Sequence, residues 1–140
     1  MKPEQIAGAS ESSQQKALFA WAAIEARSGR KELRLLFHVP NGGTRGETER
    51  SREIAGGNLK AEGVRSGVPD VALLVARKGF HGLFIEMKRP SLKSPKDPLN
   101  GCSEKQLEWI EGLRDNNYAC FVAYDWIEAR DGILAYLEGE

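Results

Sequence analysis

The spacing of apolar residues changes repeatedly along this chain, and each change predicts an element. Over 12–27 they recur at Leu18, Trp21 and Ala22, with a second set at Phe19, Ala23 and Ala26, the period of an amphipathic to largely buried helix. A short apolar run over 35–39 stops at Pro40-Asn41-Gly42-Gly43 and predicts a strand that ends in a turn. A polar helix is expected over 47–61, interrupted or frayed at Gly56-Gly57, and Gly63 and Gly67 bracket a further turn. Runs over 71–76 and 83–87 are apolar and joined by a short glycine-containing connection, most simply an antiparallel hairpin. After a Pro/Ser/Lys-rich loop over 89–101, Ser103 opens a helix with Leu107, Ile110 and Leu113 on one face. A strand follows over 119–124, and Trp126, Ala129, Ile133 and Leu137 line a closing helix. The strand-helix-strand order from 83 to 124 calls for a parallel crossover. The fold class is therefore α/β, a central mixed sheet flanked by helices.

Length and charge narrow what such a fold can do. One hundred and forty residues suit one domain; residues 1–13, rich in Gly and Ser, are expected to be a flexible segment and 14–140 the domain. With 41% hydrophobic and 29% charged residues, and no apolar run of the roughly 20 residues that span a bilayer, no membrane partner is expected. The start lacks the apolar core of a secretory signal, which points to an intracellular, cytoplasmic location. Cys102 and Cys120 have neither CxxC spacing nor a histidine at ligand spacing, so they read as ordinary thiols. Twenty basic and twenty acidic residues cancel, so any affinity for nucleic acid has to be local. Between 45 and 65, Arg45, Arg50, Arg52, Lys60 and Arg65 alternate with Glu47, Glu49, Glu53 and Glu62, closer to a solvated helix surface than to a basic patch.

One strand breaks its own burial pattern. In Leu83-Phe84-Ile85-Glu86-Met87-Lys88, Glu86 and Lys88 share one face while Ile85 and Met87 point into the opposite layer. Charges on an apolar strand need solvent, a partner or a function. Asp70 opens the neighbouring strand, so two carboxylates and an ammonium are brought together. Asp70 and Glu86 suit a hard cation such as Mg²⁺ or Mn²⁺, with the Met87 carbonyl as a further oxygen ligand. Phosphodiester hydrolysis requires charge neutralisation, an activated water and transition-state stabilisation, and Lys88 can meet the water or the phosphate.

Pro69-Asp70 followed by Glu86-Met87-Lys88 looks like the PD-(D/E)-x-K nuclease signature. Together with His38-Val39-Pro40-Asn41-Gly42-Gly43, Gly63-Val64-Arg65-Ser66-Gly67-Val68-Pro69-Asp70, Gly82-Leu83-Phe84-Ile85-Glu86-Met87-Lys88 and Ser103-Glu104-Lys105-Gln106-Leu107-Glu108-Trp109, in that order, it resembles the VRR-NUC family, the virus-type replication-repair nucleases. The resemblance runs over roughly 14–137. It implies a restriction-endonuclease-like fold, divalent-metal DNA cleavage, and a site of Asp70, Glu86 and Lys88 supported by Gln106. It also implies an acid on the first helix, for which Glu11 is the nearby candidate, with Gln14 and Gln15 in the positions that follow. Stand-alone members of this size resemble Holliday-junction resolvases in assembly, which implies a homodimer acting on branched, junction or flap DNA in phage or prophage replication and repair. The family context also places Asn41 near DNA.

Plainer readings stand beside these. Pro69-Asp70 also suits a turn into a strand, and Glu86 and Lys88 an edge strand's solvent face. Ser103-Glu104-Lys105-Gln106 matches a helix capping box, a role that need not exclude a place in the site. His38 reads as a packed or hydrogen-bonded strand histidine, and Trp21, Trp109 and Trp126 as core packing. Arg45, Lys60, Arg65 and Ser66 are candidate DNA contacts, Arg65 foremost because it sits in the glycine-bracketed turn before Asp70. The rival to a nuclease is a catalytically silent DNA-binding or assembly module that keeps the fold, for which the glutamines at 14 and 15, where the family resemblance implies an acid, argue.

Overall fold

The computed structural model describes residues 9–40 and 57–138. Its first helix, α1 (Glu11–Arg27), starts at Ser10, whose hydroxyl accepts from the Ser13 backbone N–H and so satisfies one of the open donors of the first turn. Residues 11–13, expected within the flexible segment, are thus helical. Leu18 and Ala22 are buried with Gln14 one turn before them. A 3-10 turn, Lys31–Leu35, leads into β1 (Leu36–His38). Residues 57–61 are helical; the rest of the polar helix expected over 47–61 lies outside the described residues, as do Asn41 and Arg45.

The sheet has the order β1-β2-β3-β4, with β2 (Val71–Leu73), β3 (Leu83–Met87) and β4 (Ala119–Ala123). β2 runs antiparallel to β1 and β3, with Val71 opposite both His38 and Ile85. β2 and β3 form the expected hairpin: Arg77 and Phe80 exchange backbone hydrogen bonds around Lys78 and Gly79, both at positive φ, the two-residue turn that matches strand twist. β3 and β4 pair in parallel, Glu86 opposite Val122. Helix α2 (Glu104–Asp115) makes the crossover between them. Helix α3 (Trp126–Leu137) closes the fold behind the side-chain cap of Asp125.

This topology makes β3 an interior strand with a neighbour on each side. Leu83, Ile85 and Met87 enter a core with Leu18 and Ala22 of α1, Val71 and Leu73 of β2, and Ala129 and Ile133 of α3. Their alternates, Phe84 and Glu86, face the other layer, to which α2 belongs. The solvent-face reading of Glu86 and Lys88 is therefore overturned, for both are buried. Among the described residues no helix is long and apolar enough to cross a membrane.

α2 departs from its sequence pattern. Ile110 is buried, but Leu107 stays exposed and Leu113 half-buried, because α2 lies along β4 and meets the sheet on a narrow stripe. Trp21 and Trp126 pack against the core as expected, whereas Trp109 is not part of it.

Candidate active site

Three elements deliver the site. β3 carries Glu86 and Lys88, the entry to β2 carries Asp70, and the first turn of α2 carries Gln106. Glu86 is 1% exposed and Lys88 7%. An exposed edge would leave both hydrated; here each depends on its protein neighbours.

Gln106 links them. Its Nε2 donates to Glu86 Oε1 at 2.9 Å, while its Oε1 accepts from Lys88 Nζ at 2.9 Å and from the Ser103 backbone N–H at 2.8 Å. The Ser103 hydroxyl accepts in return from the Gln106 N–H, which completes the capping box. The expected capping box is present, and the same side chain also reaches Glu86 and Lys88. The reversed amide would set an NH₂ group against the ammonium and an N–H, so the surrounding donors fix its orientation. Lys88 Nζ is also 3.7 Å from Glu86 Oε1.

Asp70 is anchored by its side chain and its backbone. Its Oδ2 accepts from the Met87 N–H at 2.8 Å, tying the carboxylate to the residue between Glu86 and Lys88. Its carbonyl accepts from the Val39 N–H at 2.7 Å and from His38 Nδ1 at 2.8 Å, which fixes the Nδ1–H tautomer. His38 is thus a hydrogen-bonded strand histidine, and what it holds is the backbone of Asp70.

Glu86 is the perturbed group. Burial first, then the Asp70 charge, push its pKa from 4.5 up to about 9, against the lowering influence of Lys88. Ionised, its Oε2 is buried with no hydrogen-bond partner; protonated, it gains Asp70 as an acceptor. A buried carboxylate oxygen without a donor suits a cation. Among the described residues no group of three His, Cys, Asp or Glu is assembled for one. Two carboxylates still meet the habit of Mg²⁺, which takes one or two from protein and fills its remaining positions with water and phosphate oxygens. Glu11 contributes charge, the smallest of the influences that raise Glu86. The next turn of the helix is committed elsewhere: Gln14 is fully buried and its Oε1 accepts from the Trp126 N–H at 2.8 Å, joining α1 to the start of α3.

A family model described as the VRR-NUC domain matches residues 20–126. The chain belongs to the VRR-NUC family. A solved structure titled "VRR_NUC domain protein" is similar to it, with a TM-score of 0.70 and 25% identity over 94% of this chain and 90% of that one. Among proteins of curated function, none matches. Membership makes this an α/β nuclease-like fold with a nuclease-type, DNA-processing function.

In this VRR-NUC chain the expected DNA contacts Lys60, Arg65 and Ser66 come together. They line a hollow of about 550 Å³ that also touches Ser103, Lys105, Gln106 and Trp109. Arg65 Nη1 donates to the Lys60 and Val64 carbonyls, at 3.3 and 3.4 Å, which holds the guanidinium over its own turn. Gly67 closes the hollow, because its α-carbon leans on α2: a Cβ there would lie 2.7 Å from the Lys105 carbonyl carbon, and φ is +88°. Lys105 and Trp109 are the residues that sequence reasoning missed as site neighbours. Their one signal was their place one residue before and three after Gln106, on the first turns of the same helix.

Proposed function

We propose that this chain is a Mg²⁺- or Mn²⁺-dependent endodeoxyribonuclease, with Asp70 and Glu86 as metal-ligating carboxylates and Lys88 as the catalytic cation. The observation that carries the reading is the buried Glu86 Oε2, left without a hydrogen-bond donor beside Asp70 in a chain that belongs to a nuclease family. A divalent cation bound there supplies Lewis acidity to a phosphate oxygen and lowers the pKa of a bound water. The chain's own groups do the remainder. Asp70, held through the Met87 N–H, and Glu86, held through Gln106, present oxygen atoms from fixed positions, and the carbonyl of Met87, between Glu86 and Lys88 in the chain, is the candidate further oxygen ligand. Lys88, restrained by Gln106 and Glu86, presents a positive charge to the attacking oxygen or to the non-bridging oxygens as negative charge develops. Gln106 acts through these groups as a positioning residue. Glu11 is the candidate for a further acid. In assembly, the reading carries a homodimer whose two sites face branched, junction or flap DNA, with phage or prophage replication and repair as its setting.

The silent DNA-binding or assembly module is favoured by one observation, that no three-acid group is assembled among the described residues. A single panel separates the two. Branched, flapped, nicked and linear DNA are incubated with the protein in Mg²⁺, Mn²⁺ or EDTA, beside Asp70→Ala and Lys88→Ala. Cleavage in either metal, none in EDTA, and losses on the order of 10²–10⁴-fold in both variants are expected. Cleavage that survives either substitution removes the proposed site, and no cleavage of any substrate assigns the silent module.

A further inference from the structure

The hollow beside Gln106 contains an aromatic surface that the catalytic groups do not use. Trp109 is half-buried and stands apart from the hydrophobic core to which Trp21 and Trp126 belong. It lines the 550 Å³ hollow on one side and, on the other, a second hollow of about 440 Å³ that reaches Tyr118. Its indole lines two concavities and leaves part of its surface open to them. Among the described residues that line it, the first hollow is cationic, with Lys60, Arg65 and Lys105 against Glu108, which lies 4.0 Å from Lys105 Nζ, although the whole chain carries no net charge. It adjoins the candidate active site through Gln106, which forms part of its wall and bonds Glu86.

We infer that this hollow binds an unpaired nucleotide adjoining the scissile phosphate, its base stacked on Trp109 and its backbone phosphate drawn by Lys60, Arg65 and Lys105. The inference rests on the nuclease reading for its place beside the scissile bond, and adds what that reading lacks, a means of recognising strand structure. Base faces inside a duplex are covered by their neighbours, so a single indole at the edge of a hollow can stack only on a base that is unpaired. Cations around it contribute a strand-independent attraction. Trp109 is thereby a specificity-determining residue for single-stranded segments at flaps, overhangs and branch points. The second hollow, flanked by Tyr118, extends the same surface away from the active site.

The test is a binding experiment, performed in EDTA so that cleavage plays no part. Fluorescence anisotropy of a labelled oligothymidylate and of a labelled long blunt duplex without loops is measured with the full chain, Trp109→Ala, Trp109→Phe and Lys60→Ala, with circular dichroism melts as a check on folding. Trp109→Ala is expected to weaken oligothymidylate binding roughly tenfold and to leave the duplex nearly unchanged, and Trp109→Phe, which keeps a π-face, to restore most of the loss. Lys60→Ala should weaken both probes and reduce the salt slope by about one. Unchanged oligothymidylate binding by Trp109→Ala, equal losses on both probes, or no oligothymidylate binding by the wild-type chain would each overturn the inference. A change of oligomeric state in Trp109→Ala, seen by light scattering with DNA binding intact, would overturn it too and give this surface to a second copy of the chain. A wild-type protein that cuts no DNA yet loses oligothymidylate binding on Trp109→Ala keeps the stacking of an unpaired base on Trp109 and removes the nuclease reading with the place beside a scissile bond. Lys88-dependent cleavage with a neutral Trp109→Ala does the reverse.

Discussion

Removing the charge of Glu86 should stabilise the metal-free protein at alkaline pH and do nothing at acid pH. Between the ordinary carboxyl value of 4.5 and about 9, the folded chain holds a proton on Glu86 that the unfolded chain has released. Folding stability therefore falls as pH rises through that window, by about 1.4 kcal/mol per unit for one fully coupled group. From pH 5 to pH 8 the contribution amounts to about 4 kcal/mol, or of order 10 °C in melting temperature for a domain of this length. Glu86→Gln keeps the shape and stays neutral, so its curve should meet the wild type near pH 5 and lie above it by that amount at pH 8. The assay is thermal or urea unfolding in EDTA across this range. Adding Mg²⁺ at pH 8 should raise the wild-type melting temperature by binding the folded ionised form, and leave Glu86→Gln unmoved. Parallel pH curves for the two proteins would refute the reasoning, because they would show that burial and Asp70 do not hold a proton on Glu86.

Two further substitutions probe how the site is supported. Gln106→Glu keeps the capping box, which accepts either residue, but replaces the amide donor to Glu86 with another carboxylate; helix stability should be nearly retained while DNA cleavage falls roughly 10–100-fold, as for other groups that orient a metal ligand. Gln14→Leu leaves the Trp126 N–H without its acceptor and should cost about 1–3 kcal/mol in urea unfolding, with cleavage by the remaining folded protein close to wild type.

What could be read from the sequence was local or repeated. Alternation in 83–88 located a charged face on an apolar strand, and Ser103 followed by Gln106 located a helix start; both signals depend on neighbours a few residues apart. The parallel pairing of β3 with β4 followed from the helix between them. Long-range pairing was not legible. Nothing near Gln14 announces a bond to Trp126, 112 positions away. The faces of α2 were misread for a related reason: its period makes Leu107, Ile110 and Trp109 look interchangeable, and only the narrow seam on β4 selects Ile110 for burial. The Glu86 and Lys88 ambiguity, solvent edge or buried site, was decided by sheet order alone, since the same hexapeptide would be ordinary on β1.

The Gln106 side chain makes the first turn of α2 and the alignment of Glu86 with Lys88 a single cooperative unit. Fraying of that turn would release the lysine and the glutamate together, disordering the candidate site without moving a domain. Backbone amide exchange at Gln106, whose N–H is held by the Ser103 hydroxyl, would count the frayed fraction directly. Anything that tightened or loosened the start of this one helix, a strand lying along it included, would then change how often Gln106 holds Glu86 and Lys88 together.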